Sequence, residues 1–452
     1  MTPTDTPSAV ASQAVASQAV TSQAVPPVGP ARPGAGASAG PSAGTPAHTS
    51  TGTGTGRSAG SSAGTGTRTS TGTSAGTSVS PSSRIVPTDA RPMHFVMPGG
   101  VDDPAAPSGG NTYDRRVSLD LSGFGWDVRA HTVDGDWPRP DAVATARLAH
   151  TLAALPDGAV VLLDGIVACP APEIVVAEAE RLRLAVLVHL PLADESGLDE
   201  ATAAELDALE RTTLRAAAAV VATSDWAAQR LVSHHGLASR RVHVAAPGTD
   251  IAPLATGTDG ISRLLCVGSL TPRKGQHRLV RALATVADLP WSCVLVGGLD
   301  QDPGYVSRLR ALVDELGLTG RVRIAGPQVG AELNASYARA DLMVLASDSE
   351  TYGMAVTEAL ARGIPVLVTE IGGLPEAVGR APDGSVPGVL LPDTDPAALG
   401  TAVRRWFDEH DERQRLKAAA RSRRTSLDGW ATTARSLSGV LEQLRRDTWS
   451  AV

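Results

Sequence analysis

Two glutamates eight positions apart bound the segment Glu350-Thr351-Tyr352-Gly353-Met354-Ala355-Val356-Thr357-Glu358. The segment reads as a strand end, a loop and a helix start. Glu350 then lies in the loop at the strand's carboxyl end and Glu358 in the early turns of the helix, so both can face a ligand over the helix N-terminus. Carboxylates there accept the hydroxyls of a sugar or a ribose. Gly353 lets a ligand approach the backbone, and the free amides of Gly353, Met354 and the next residues suit a diphosphate. Taken singly, Glu350 reads equally well as an ordinary loop acid and Glu358 as one that caps or solvates a helix.

A second cluster lies in Val267-Gly268-Ser269-Leu270-Thr271-Pro272-Arg273-Lys274-Gly275-Gln276, again a strand, a short loop and a helix start. A departing nucleoside diphosphate gains negative charge, and two adjacent cations stabilise it through the transition state without a metal. Lys274 is one of only two lysines, with Lys417, among 40 basic residues. Upstream, Pro107-Ser108-Gly109-Gly110-Asn111 separates a strand from an amphipathic helix, and paired glycines suit close backbone approach. Val186-Leu187-Val188-His189-Leu190-Pro191 puts His189 at the end of a buried strand, where a lone histidine is either structural or an active-site group. Asp134-Gly135-Asp136 has the Asp-x-Asp form of a metal and diphosphate site, but Asp-Gly after a strand reads as a turn. His234-His235, near a helix end, has no acid or cysteine at ligand spacing and is expected to face solvent or helix carbonyls. No metal site is expected.

These motifs resemble those of the GT-B glycosyltransferases of family 4 over roughly residues 92 to 446, with that family's Glu, seven residues, Glu motif falling on Glu350 and Glu358. The resemblance implies a retaining glycosyltransferase that moves a hexosyl unit from a UDP- or GDP-sugar, the donor being a co-substrate and no cofactor being needed. It implies Glu358 on the ribose, Glu350 on the sugar ring, Arg273 and Lys274 on the diphosphate, and Gly353 with Met354 on the phosphate through backbone amides. His189, Gly109 and Gly110 would complete the site from the other domain. In that family the histidine contacts the donor sugar, while the leaving phosphate takes the acceptor proton. Where the family often has an arginine directly after the motif's glycine, this chain has Ser269, which removes one expected donor contact. Thr223-Ser224-Asp225-Trp226, Pro247-Gly248-Thr249-Asp250 and Val296-Gly297-Gly298 are further pieces of the resemblance. So is Gly372-Gly373-Leu374-Pro375-Glu376, whose glycines read as a donor contact or a helix-entry turn. Two rival readings are a catalytically silent nucleotide-sugar-binding or scaffold protein of the same fold, and a glycan phosphorylase, for whose cofactor lysine Lys417 has no matching context.

The elements that must position these residues follow from periodicity. From residue 92, short β-branched runs alternate with amphipathic segments, as parallel sheets with crossover helices do. Strands are predicted at 93–97, 126–132, 159–164, 184–190, 218–223 and 242–246, then at 262–267, 292–297, 322–325, 342–346, 364–368 and 388–391. The expected α/β fold is two Rossmann-like domains facing across a cleft, with ligands at the carboxyl ends of the strands. The boundaries expected are an acceptor-side domain over 92–250, a linker over 251–260 and a donor-side domain over 261–426. A C-terminal helix over 427–452 should return toward the first domain, with Trp430 in packing. Residues 1–91 are Ala, Ser, Thr, Gly, Pro and Gln almost throughout and read as a disordered, low-complexity tail.

Bulk properties narrow the partners. A net charge of −7 argues against a nucleic-acid binder. Residues 91–250 hold 13 Arg, no Lys and 22 Asp plus Glu, so a basic surface for anionic lipid is not favoured and a small-molecule or glycan acceptor is. Neither a secretory leader nor a run long enough to span a membrane is predicted. Cys169, Cys266 and Cys293 sit in or beside apolar runs and read as buried reduced thiols of a cytoplasmic protein.

Overall fold

The computed structural model describes residues 90–446; the expected N-terminal tail and residues 447–452 lie outside them. The first sheet comprises β1 (Arg91–Pro98), β2 (Trp126–Val133), β3 (Val160–Asp164), β4 (Arg183–Val188), β5 (Ala219–Ala222) and β6 (Val242–Val244), in the spatial order β2-β1-β3-β4-β5-β6. The second comprises β7 (Arg263–Val267), β8 (Ser292–Val296), β9 (Val322–Gly326), β10 (Leu342–Leu345), β11 (Val366–Thr369) and β12 (Gly388–Leu391), in the order β12-β11-β10-β7-β8-β9. Every pairing is parallel. Central strands such as β3, Val-Val-Leu-Leu-Asp, are buried throughout, as strands covered by helices on both faces must be.

In each sheet the winding reverses once, between β1 and β3 in the first and between β7 and β10 in the second. At such a point neighbouring connections leave toward opposite faces, and the strand ends open a crevice that ligands use. The connection after β1 leads to Gly109 and Gly110, and β3 ends on Asp164. The connection after β7 carries Arg273 and Lys274, and that after β10 carries Glu350. The topology alone therefore puts chemistry-bearing residues at both reversal points.

Observed and predicted elements differ mainly at their ends. The helix Ala142–Ala153 starts only after Pro138 and Pro140, and Asp141 caps it by accepting from the Ala144 amide at 2.7 Å. β4 stops at Val188, so His189 is the first residue beyond the strand. The last helix, Trp430–Arg446, buries Trp430, Ala434, Leu437, Leu441 and Leu444, the spacing of a single apolar stripe. That stripe packs with Met93, Phe95, Tyr113 and Val117 on one face of the first sheet. Trp126 Nε1 donates to Ser438 Oγ at 2.9 Å, and Arg183 donates to the Leu444 carbonyl at 3.0 Å near the helix end. Each fully buried Leu is worth about 1.5–3 kcal/mol, so the first sheet's core depends on the far end of the chain. All three cysteines are buried and free. Among the described residues no helix is long and apolar enough to cross a membrane.

Candidate active site

Three side chains from three elements of the first domain converge. His189 follows β4, Asp164 ends β3, and the helix Gly109–Asp120 turns Asp114 into the interior beside Tyr113. Ser108 starts that helix by accepting from the Asn111 amide at 3.0 Å. His189 Nε2 lies 2.8 Å from Asp114 Oδ1 and 4.0 Å from Asp164 Oδ2. Burial pulls the imidazole pKa down, but the hydrogen-bonded Asp114 and the nearby Asp164 more than reverse this and raise it to about 9. Burial first, and then the Asp114 carboxylate, push Asp164 upward. Protonated Asp164 would be a donor for Asp114, whose Oδ2 is otherwise buried without a partner. An imidazolium beside one ionised and one protonated carboxyl would leave no net buried charge. An imidazolium offers only donors, so His189 is suited to hold an oxygen and not to remove a proton.

Packing fixes that ring. Tyr113 meets His189 edge-on at 5.1 Å between centroids and Trp430 at 5.8 Å, while its hydroxyl donates to the Ala245 carbonyl at 2.9 Å. A β-carbon on Gly110 would stand 3.2 Å from His189 Cδ2, and one on Gly109 would stand 3.2 Å from Met354 Sδ of the second domain. The glycine pair thus lets the helix start pass close to both.

On the second sheet, Lys274 Nζ lies 2.5 Å from Glu350 Oε1, and the Ser347 hydroxyl donates to the same oxygen at 3.0 Å. Burial works to raise the Glu350 pKa, but Lys274 and then Arg273 hold it below the ordinary carboxylate value. Arg273 donates to the Ser349 carbonyl at 2.9 Å, and its Nε is buried without a partner. The residues expected on the diphosphate and on the sugar ring therefore meet in one ion pair, and Arg273 is the less neutralised cation. Glu358 accepts from the Tyr337 hydroxyl at 2.7 Å; burial raises its pKa, and Tyr337 and Arg362 offset part of the rise.

Gly353 begins the helix Met354–Ala361 at φ 105°, and a β-carbon there would fall 2.6 Å from Leu374 Cδ2. Gly372 and Gly373 support the loop from behind: their β-carbons would fall 1.9 Å from the Glu350 carbonyl oxygen and 2.2 Å from that of Thr351. Gly372→Ala also meets a φ of 55°, so it should destabilise the fold by roughly 1–3 kcal/mol. Calorimetry would register this as a Tm several degrees lower; an unchanged Tm would mean the loop yields freely.

The carboxyl ends of the two sheets close on each other. The Thr351 hydroxyl donates to the His189 carbonyl at 2.6 Å, and the Ser224 hydroxyl donates to the Thr351 carbonyl at 2.5 Å. Ser349 donates to Asp194 at 3.2 Å, and Arg230 grips Asp194 in a bidentate pair at 2.5 and 2.6 Å. Glu376 accepts the amides of Asp225 and Trp226 at 2.9 and 2.7 Å, a carboxylate at a helix N-terminus. These contacts set His189, Gly109 and Gly110 beside the loop of Glu350, Gly353 and Met354, to which Arg273 and Lys274 are bonded through Ser349 and Glu350. Glu358 lies one helical turn further along. Lys417 is elsewhere, donating to the Gly260 carbonyl. Asp134-Gly135-Asp136 forms a bend directly after β2, and among the described residues it joins no cluster of metal-ligating groups.

Sequence reasoning missed Asp114, Asp164, Glu195, Tyr337 and Thr351. Asp164 carried a signal, an acid closing an apolar strand. Asp114 carried a weaker one, an acid on the buried face of a helix. Glu195 is pushed upward by burial, and the charges of Arg273 and Lys274 act against that rise from across the domains; no spacing in the sequence announces that coupling.

Known proteins resemble this chain in sequence over part of its length and in fold. The family described as Glycosyl transferases group 1 matches residues 259–423, the part that carries Arg273, Lys274, Glu350 and Glu358. D-inositol 3-phosphate glycosyltransferase of Kineococcus radiotolerans is 32% identical over 260 residues, 52% of this chain and 59% of the relative. The enzyme of the same name from Mycolicibacterium vanbaalenii is 34% identical over 227 residues, 43% and 50% of the two chains. The chain thus spans little more than half the length of the curated relatives it matches. Among solved structures, sucrose-phosphate synthase from Thermosynechococcus elongatus aligns with a TM-score of 0.63 at 22% identity, covering 78% of this chain and 99% of that one. Anabaena HepE in complex with UDP-glucose aligns with a TM-score of 0.61 at 19% identity, over 78% and 99%. The fold is GT-B: two Rossmann-like domains with their strand ends facing.

Proposed function

We propose that this chain is a retaining, metal-independent glycosyltransferase that moves a hexosyl unit from a UDP- or GDP-sugar to a small-molecule or glycan acceptor. The observation that carries the reading is the meeting, at the reversal points of two facing sheets, of Arg273, Lys274 and Glu350 with His189. The match to Glycosyl transferases group 1 supports it, and the UDP-glucose complex of HepE on the same fold favours a uridine donor.

In this reading the diphosphate lies over the amides of Gly353 and Met354, with Arg273 and Lys274 at its side and Glu358 on the ribose. The bond from the anomeric carbon to the phosphate oxygen breaks as the charge on that oxygen is met by the two cations. The acceptor oxygen attacks the same face of the sugar, and its proton passes to the leaving phosphate. His189, charged and pinned by Asp114, donates to a sugar oxygen. Because the two cations supply local positive charge, the residues are sufficient without a bound metal. The buried free thiols suit the cytoplasm.

Mass spectrometry of products from a panel of UDP- and GDP-sugars with candidate acceptors tests the activity. Glu358→Gln removes a charged acceptor of the ribose hydroxyls, and UDP or GDP affinity by calorimetry should fall roughly 10-fold to 100-fold. If the unsubstituted chain binds no nucleoside diphosphate, the silent scaffold is the better account.

A further inference from the structure

His234 is half-exposed, as the sequence suggests, whereas His235 is buried and faces neither solvent nor a helix carbonyl. The helix Glu200–Ala216 lies against the helix Asp225–His235 and brings Asp207 and Glu210 to the two imidazoles, contacts across 27 and 25 residues of chain that no local spacing reveals. His234 Nε2 is 2.5 Å from Asp207 Oδ1, and Arg211 holds Asp207 Oδ2 at 2.6 Å. His235 Nε2 is 3.1 Å from Glu210 Oε2, both side chains being 1% exposed. The other ring nitrogen, His235 Nδ1, is buried without any partner. Asp207, His234 and His235 each offer a ligand atom within 4.8 Å of the others.

An unpartnered buried imidazole nitrogen is destabilising, which an apolar side chain at the same place would not be. A metal-bound histidine typically has one ring nitrogen on a carboxylate, which fixes its tautomer, and the other on the ion. Glu210 and His235 already form the first half of that arrangement, and Arg211 orients Asp207 in the same way. We propose that Asp207, His234 and His235 bind a divalent cation of the zinc class, with His235 ligating through Nδ1 and water completing the shell. Two imidazoles and one carboxylate suit zinc and disfavour magnesium or calcium, which take oxygen ligands. The ion ties the two helices together. Through Glu210, whose Oε1 accepts the Leu192 amide at 3.3 Å, it also steadies the segment that follows His189.

The test uses the full chain after dialysis against a chelator, titrated with zinc chloride by calorimetry and, in parallel, with cobalt chloride followed by visible absorption. We expect a single zinc site, a higher Tm with zinc than without, and cobalt bands of a low-coordinate nitrogen and oxygen site. His234→Ala alters a half-exposed side chain, so the fold persists, and zinc affinity should fall at least tenfold. Asp207→Asn should act in the same direction. Among the described residues, the other cluster of this kind, Asp114 with Asp164 and His189, is intact in both variants. Zinc affinity equal to that of the unsubstituted chain in His234→Ala, or no zinc binding at all, overturns the proposal.

Discussion

Lys274→Ala is expected to lower kcat/KM for the donor by roughly 10²–10³, about 2.7–4 kcal/mol of transition-state stabilisation. The effect has two sources that a single variant does not separate. One is the loss of a cation beside the leaving phosphate. The other is the release of Glu350, which is 6% exposed and would keep only the Ser347 hydroxyl and the more distant Arg273 as support. A buried carboxylate deprived of its partner protonates or moves, and either change disturbs the loop that carries Thr351 and Met354. The double variant Lys274→Ala, Glu350→Gln distinguishes the two. If the ion pair serves mainly to hold the loop, neutralising Glu350 restores much of the lost rate. If Lys274 acts on the phosphate, the double variant stays as slow as the single one. Unchanged turnover in Lys274→Ala would remove the diphosphate assignment altogether.

Asp114→Asn should change the pH dependence more than the architecture, since the amide nearly matches the carboxylate in shape. With its anion gone, the imidazole of His189 is left to burial, which opposes its charge, and its pKa drops from about 9 toward the ordinary 6.5 or below. If the charged ring is what holds the sugar, the basic limb of the rate profile moves down with it. At pH 8 the charged fraction would fall about 30-fold. A uniform drop in rate with the limb unmoved would mean that Asp114 acts only through shape. Stability should follow the same proton. The folded pKa of His189 lies above its unfolded value, so the stabilisation is fully present below pH 6.5 and is lost as pH rises through about 9. Its size is about 3 kcal/mol at most, and it should be missing in Asp114→Asn. Asp164, also shifted upward, adds a loss of the same sign over an overlapping range. Denaturant unfolding at pH 6 and pH 9 measures the difference.

Much of this arrangement is legible in the sequence alone. Strand and helix positions follow from runs such as Val160–Asp164 and from caps such as Asp141, because local chemistry fixes them. The second-domain site was readable for the same reason: Arg273 with Lys274, and Glu350 through Glu358, are contiguous segments. What could not be read joins distant segments. Asp114 meets His189 across 75 residues, and Thr351 reaches the His189 carbonyl across 162. The ion pair between Lys274 and Glu350 is of the same kind, spanning 76 residues. It joins a residue expected on the diphosphate to one expected on the sugar ring. Gly372 and Gly373, which read equally as a donor contact or a helix-entry turn, stand at the start of the helix Leu374–Val378 and at a close crossing of backbones.

The polypeptide passes between the two sheets twice, and the passages run side by side. Thr249 donates its amide to the Asp428 carbonyl at 2.9 Å, Thr433 donates to the Ala246 carbonyl at 2.7 Å, and Gly248 leaves no room for a β-carbon against Trp430. A single proteolytic nick between residues 251 and 260 would therefore not part the halves, since the second passage still tethers them. Amputating the final helix would do more harm than cutting the linker, because it uncovers Tyr113 and with it the ring resting on His189.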